Sequence, residues 1–418
     1  MRVLMVSWEY PPVVVGGLGR HVHSLATELA AAGHDVVVLS RQAGGTDATT
    51  HPTCDEVLDG VRVLRVAEDP PHLEFERDMV AWTLAMGHGL LRAALTRLVP
   101  DWRPDVVHAH DWLVAQPAIA LADVLGVPLV ATVHATEAGR HAGWLSSPVS
   151  RQVHSTEWWL ARRADTVITC SAAMRAEAAE LFELDPEPIV VLRNGIAPRR
   201  WRSTPAAVAA ARRRYAPGGE PLLLYFGRLE YEKGVQDLIA ALPRIRRAHP
   251  GTRLLVAGTG TAADQLVTAA RTHRVRRSVR FLGHLPDGEL AALLAAAAAV
   301  VLPSRYEPFG IVALEAAAAG APLVASTAGG LGEVVLDGVT GLSFAPGDTT
   351  GLALAVGRVL ADPAAAARRA AAATARLGTD FSWSKVAAGT AAVYAAARAG
   401  EPVELGRPKI PTGNVFGA

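Results

Sequence analysis

The chain has 418 residues, half of them hydrophobic, which is more than one ordinary core accommodates and predicts two domains. Lys plus Arg is 41 and Asp plus Glu is 40, so the net charge is +1, and nothing in that balance points to nucleic acid or a strongly anionic surface as the main partner. Two cysteines, Cys54 and Cys170, make no disulfide framework, and the longest apolar run, Leu290 to Leu302, falls short of a membrane span, so a cytoplasmic protein is expected, with peripheral membrane contact left open.

The N-terminus "MRVLMVSWEYPP" reads as a first strand, because its short apolar run soon meets Glu9 and two prolines, unlike a signal peptide. Next comes "VVVGGLGRHVHSL", which sets Gly16, Gly17 and Gly19 before a helix expected from about Arg20 to Ala32. Backbone N–H groups at a helix start attract phosphate, and glycines let it come close. An ordinary glycine-rich turn has the same composition, and the spacing is neither a Walker loop nor a Rossmann fingerprint. His21 and His23, two apart on a helix, do not share a face, which argues against joint metal binding.

The runs "HDVVVLS", "DVVHAH", "PLVATVHA", "DTVITCS" and "IVVLRNG" then alternate with Ala- and Leu-rich helical patterns. Continuous Val/Ile/Leu strands of this kind are buried on both faces, and the alternation predicts right-handed βαβ units on a parallel sheet. His108 and His110 alternate on one strand and so face one side, as in some metal hydrolases, but no Asp-His follows at suitable spacing. His134 ends the next strand, at the carboxyl edge where open α/β sheets hold ligands. Trp158 and Trp159 read as core or interface residues, with sugar stacking as the lesser option.

The segment Ala197–Pro221, rich in Pro, Arg and Gly, reads as a linker, after which "LLLYFGRL", "TRLLVAG", "VRFLGH", "VVLPS" and "PLVAS" restart the pattern. The expected class is α/β, two doubly wound domains in tandem: residues 1–197 and 198–381, a last helix over 382–400 and a loose tail over 401–418. In "FGRLEYEKGV" a strand ends and Arg228 and Lys233 follow, two cations suited to a diphosphate leaving group, although Glu230 and Glu232 lie between them. "STAGGLGEVV" offers a second phosphate-facing loop. The basic run Arg271 to Arg280 reads as a solvated helix end and strand start, with a site for an anionic lipid or acceptor as the minority reading.

Two carboxylates stand out in "RYEPFGIVALEAAAAGAPLV". As structure this is a helix N-terminus, with Pro308 in the first turn and Glu307 at the positive end of the helix dipole. That leaves Glu315 unexplained among alanines. Residues eight apart on a helix lie about 80° apart around its axis, so both acids are expected to lean toward one cleft. Carboxylates match vicinal hydroxyls, one for a hexose and one for a ribose, with the backbone amides of Phe309, Gly310 and Ile311 left for the sugar or its phosphate.

Taken in order, "GGLGRHV", "HAHDW", "TVHA", "RNGI", "GRLEYEKGV", "YEPFGIVALEAAAAG" and "GGLGEVV" make the chain resemble, over nearly its whole length, the retaining glycosyltransferases of GT-B architecture. At finer grain "SWEYPPVVVGGLGRHV", "HAHDWLVA" and "HATEAGRHAGW" are similar to actinobacterial α-(1→4)-glucosyltransferases of glycogen and methylglucose lipopolysaccharide synthesis. The resemblance implies two Rossmann-like domains facing a central cleft. It implies a nucleotide-diphosphate glucose donor, UDP- or ADP-glucose, and an α-glucan or methylglucose polysaccharide acceptor.

By the same resemblance Gly16 and Gly17 approach the diphosphate, Arg228 and Lys233 neutralise it, Glu307 holds the sugar and Glu315 the ribose. His134 would lie beside the transferred sugar, Asp111, Glu137 and His141 on the acceptor side, and the last helix would cross back to the first domain. No cofactor is implied, and no metal, since the chain lacks Asp-x-Asp. Val14 stands where glycogen synthases carry Lys, a departure that the actinobacterial enzymes share. The alternatives are a maltose-1-phosphate synthase, another retaining hexosyl- or mannosyltransferase, a metal hydrolase on His108 and His110, and a silent sugar-nucleotide binder.

Overall fold

The computed structural model describes residues 1–14, 16–43, 49–67 and 72–403. Two twisted sheets carry the fold. The first contains β1 (Arg2–Val6), β2 (Asp35–Arg41), β3 (Cys54–Leu58), β4 (Val61–Val66), β5 (Val106–His110), β6 (Leu129–Val133), β7 (Thr166–Thr169) and β8 (Val190–Val191). Their order is β3-β4-β2-β1-β5-β6-β7-β8, and every pairing is parallel except the β3–β4 hairpin. The second contains β9 (Leu222–Phe226), β10 (Arg253–Ala257), β11 (Val279–Gly283), β12 (Ala299–Leu302), β13 (Leu323–Ser326) and β14 (Leu342–Phe344), in the order β11-β10-β9-β12-β13-β14 and all parallel.

The strands are the Val/Ile/Leu runs of the sequence. All five residues of β5, β6 and β9 are buried, as sheets covered by helices on both faces require. In each sheet the chain winds outward in one direction and then in the other. The order reverses between β1 and β5 in the first sheet and between β9 and β12 in the second. At such a switch point the connections leave on opposite faces, opening a crevice beyond the strands' carboxyl ends.

Two elements differ from expectation. The segment Ala197–Pro221 is ordered structure rather than a bare linker. It forms a 3-10 turn, Pro198–Trp201, and a helix, Pro205–Tyr215, capped by the Thr204 side chain with Pro at its first position. Trp201 is buried at 2% exposure, which ties the segment down. The helix after Glu307 starts later than expected, at Ile311. Gly310 takes φ 100°, a left-handed conformation no helix interior accepts, so Glu307, Pro308 and Phe309 form a loop ahead of it.

The last helix, Trp383–Ala399, lies against the helix Gly17–Ala31 of the first sheet's layer, with Val393 and Tyr394 fully buried in that core. The tail beyond residue 403 lies outside the described residues.

Candidate active site

The carboxyl edges of the two sheets face each other, and their loops touch. The Ser171 hydroxyl, after β7, donates to the Pro308 carbonyl at 2.7 Å, and the Ala173 amide donates to the Glu333 carboxylate at 3.0 Å. The Thr136 amide, after β6, donates to the Tyr306 hydroxyl at 3.2 Å. Gly17 lies so close to the second lobe that an added Cβ would stand 3.2 Å from the Ile311 side chain. The crevice is therefore roofed by both lobes.

On the second lobe, the loop after β9 brings Lys233 Nζ to 3.0 Å from Glu307 Oε2, on the loop after β12. These are the two strands flanking the switch point. Both side chains are mostly buried, at 14% and 13% exposure, so the pair is weakly screened. The Ser304 hydroxyl also donates to Glu307 Oε2, at 3.3 Å. Arg228 lies further out, half exposed, 3.6 Å from Glu232. Glu230 turns away to Thr261. The Gly330 amide donates to the Glu307 carbonyl at 3.0 Å, so the "STAGGLGEVV" loop buttresses the acid's backbone. An added Cβ on Gly330 would meet the Pro308 carbonyl at 2.3 Å, which explains glycine there.

Glu315 already has a partner from the first lobe. It is 5% exposed, and its Oε1 accepts from Arg20 Nη1 at 3.1 Å, a bond between lobes across 295 positions of sequence. Burial pushes its carboxyl up to about 7, with Arg20 opposing. Because Glu307 precedes the helix, the shared-face geometry expected of Glu307 and Glu315 does not apply. Each acid is placed by its own cation.

On the first lobe the helix starts at Gly17 rather than near Arg20, so Gly19 lies inside it, and the Gly16 amide already donates to Glu9 Oε2 at 3.1 Å. His134 lies just beyond β6. Its backbone N–H donates to Asp111 Oδ1 at 2.7 Å, so Asp111 shapes the edge by holding that strand end. Burial raises the Asp111 carboxyl to about 6 and lowers His134 to about 4, leaving a neutral imidazole near pH 7. Glu137 accepts from the Ser150 hydroxyl at 2.8 Å and lies 3.3 Å from the half-exposed His141.

Three histidines from different elements converge. His21, His110 and His134 hold ring nitrogens within 4.8 Å of one another. His110 Nδ1 and His134 Nε2 share a hydrogen bond at 3.1 Å, His21 Nδ1 pairs with Asn194 at 2.8 Å, and His110 Nε2 is buried without a partner. His108 is spent on structure, bonded to Tyr394 and to Thr132 at 2.7 Å each, so the His108–His110 pair of a hydrolase is not assembled. His23 pairs instead with Asp59. Trp158 and Trp159 are not core residues. They are 37% and 41% exposed, and their helix packs on the fold through Val153, Glu157, Leu160 and Ala161. Sequence reasoning missed Arg20, Asn194 and Glu333, although "GGLGRHV", "RNGI" and "GGLGEVV" contain them.

Two doubly wound lobes joined at their ligand edges, with a cation–carboxylate pair at one switch point, define a GT-B glycosyltransferase. The sequence family "Glycosyltransferase Family 4" matches residues 15–200, and "Glycosyl transferases group 1" matches residues 209–376. A protein of Mycobacterium tuberculosis (strain H37Rv) named glycogen synthase is 61% identical over 415 residues, covering 98% of each chain. An α-maltose-1-phosphate synthase of Mycobacterium tuberculosis (strain CDC 1551 / Oshkosh) is 32% identical over 94% of this chain and 99% of its own. The solved sucrose-phosphate synthase of Thermosynechococcus elongatus superposes with a TM-score of 0.79 at 25% identity, covering 96% of this chain and 99% of that one. The chain belongs to the GT-B glycosyltransferases and is closely related to actinobacterial glycogen synthase. No helix among the described residues is long and apolar enough to cross a membrane.

Proposed function

We propose that the enzyme is a retaining α-glucosyltransferase that moves glucose from a nucleotide-diphosphate glucose to the 4-hydroxyl of an α-glucan. The observation that carries the chemistry is the Lys233–Glu307 pair at the second sheet's switch point. The substrate class follows the name of the 61% identical relative.

In this proposal the second lobe holds the donor. Lys233 and Arg228 take up the charge of the departing diphosphate. Glu307 accepts hydrogen bonds from the hexose hydroxyls, beside the amides of Phe309, Gly310 and Ile311. Glu315 offers Oε2 to the ribose while Arg20 keeps Oε1. Gly17 and the helix it opens close over the diphosphate from the first lobe. His134, neutral, presents an imidazole rather than a second cation beside the anomeric carbon, where positive charge develops. The acceptor oxygen attacks from the face the diphosphate leaves, and its proton passes to the leaving phosphate oxygen, so configuration is retained. No protein nucleophile takes part. The chain's contribution is electrostatic, a fixed anion near the cationic sugar and fixed cations near the diphosphate.

The test is direct. Purified protein is offered UDP-glucose and ADP-glucose with malto-oligosaccharides, and products are read by mass and linkage. Chains lengthened by α-(1→4)-linked glucose bear the proposal out. Transfer only to glucose 1-phosphate would replace it with maltose-1-phosphate synthesis, and donor binding without transfer would reduce the protein to a sugar-nucleotide binder.

A further inference from the structure

Away from the catalytic edge, the second lobe carries a recess of about 580 Å³ at the amino ends of its strands. Arg253 is the first residue of β10, and Arg274, Arg276 and Arg277 lie on the turn that enters β11. Arg246 reaches the recess from the helix Val235–Ala248. The carboxylate lining it is Glu220, which is spent on an ion pair with Arg253 and on the Gly218 amide. Arg246, Arg274, Arg276 and Arg277 have no carboxylate partner among the described residues, and Arg246 Nε is shut off from solvent without an acceptor. Four uncompensated guanidiniums therefore share one concavity in a chain whose net charge is +1.

Like charges gathered this closely repel, and their self-energy falls only when an anion of several charges enters. Guanidinium forks bind carboxylate and phosphate oxygens two at a time, and a phosphorylated ligand brings more charge and more acceptor oxygens per group, which is what four guanidiniums in one concavity call for. We infer that this recess is a second anion site, separate from the donor cleft, which takes a multiply charged phosphorylated ligand. The carboxyl ends of β9 and β10 border the catalytic loops and their amino ends border the recess, so the same strands carry both.

Titration calorimetry with tripolyphosphate, on the full chain, tests it. The wild-type protein takes up two equivalents. Arg276→Ala/Arg277→Ala, both exposed and outside the catalytic machinery, weakens one site at least about tenfold and leaves glucosyl transfer unchanged. Arg228→Ala/Lys233→Ala weakens the other, so failure of the donor assignment shows separately. Glu220→Gln frees Arg253 and tightens the recess site, a gain that a folding defect does not produce.

Flotation with phosphatidylcholine vesicles, with and without phosphatidic acid, locates the phosphate. Comigration lost in Arg276→Ala/Arg277→Ala puts it on a lipid, and tripolyphosphate binding without comigration makes it a soluble ligand. Tripolyphosphate and vesicle behaviour identical in wild type and Arg276→Ala/Arg277→Ala would overturn the inference.

Discussion

Lys233 and Glu307 each hold the other's charge in a largely buried place, so neither tolerates losing its partner. Lys233→Ala leaves an acid facing the departing diphosphate, and Glu307→Ala removes the anion beside the developing sugar cation. Either is expected to lower kcat by about 10²–10³, the usual cost of removing one preorganised electrostatic partner. Because the two act as one unit, the double variant should be little worse than the singles. Steady-state kinetics on all three decide this, and near-normal turnover in either single variant discards the assignment. Dialysis against a chelator should leave turnover unchanged, since no step in the proposed transfer uses a cation other than Arg or Lys. Loss of activity restored by Mg²⁺ or Mn²⁺ would overturn that expectation.

A pH effect also belongs to single residues. Glu157 is 4% exposed, and burial raises its carboxyl from 4.5 to about 8 although the Glu137 amide donates to both its oxygens. Between those values the folded state keeps a proton that the unfolded chain has released, so stability falls as pH rises through that window. Glu157→Gln keeps the shape and removes the titration. Melting temperatures measured from pH 5 to about 8 should therefore decline less in the variant than in the wild type, and parallel declines would show that Glu157 is not the source.

At the scale of elements, the turn before the Ile311–Ala318 helix is exacting. Gly310 sits at φ 100°, and an added Cβ would meet Leu331 Cδ1 at 2.7 Å. Gly310→Ala is expected to cost at least about 1–2 kcal/mol from the left-handed backbone alone, seen as a lower denaturant midpoint, and to displace Glu307 with it. This helix start also shows where the sequence stops being legible. Composition placed a helix near "EPFGIVALE", but a proline after an acid fits a loop as well as a first turn, and the left-handed Gly310 decides which.

The strands were readable because parallel strands covered on both faces must be continuous apolar runs, and the fold class followed from their alternation with helices. The Arg20–Glu315 bond and the His21–His110–His134 cluster were not, since no local pattern marks partners brought together from different βαβ units. For Trp158 and Trp159 the core half of the reading fails for a related reason: the helix face a tryptophan occupies depends on what packs against it, and here Val153, Glu157, Leu160 and Ala161 face inward.

Across the whole molecule the chain passes between lobes twice, once near Ile196 and once near Ser382. The two passages pair with each other, Ile196 N donating to the Phe381 carbonyl at 2.9 Å. Between them Gly195 is pressed against Trp383, so that a Cβ there would lie 2.6 Å from the indole and 2.9 Å from the Trp383 backbone nitrogen. Trp383 begins the helix whose far end, Val393 and Tyr394, is locked in the first lobe's core. It can yield to a new methyl only by moving where the lobes join. Gly195→Ala should thus leave each lobe folded while changing the angle at which they meet. Catalytic groups from both lobes must converge within a fraction of an ångström, and a misplacement of about 1 Å can cost about 10²-fold. The expected result is a fall of that order in kcat/KM, with kcat and KM moving together as in hinge variants, and an unchanged far-ultraviolet circular dichroism spectrum. Wild-type kinetics in Gly195→Ala would mean that this crossing does not set the geometry of the cleft.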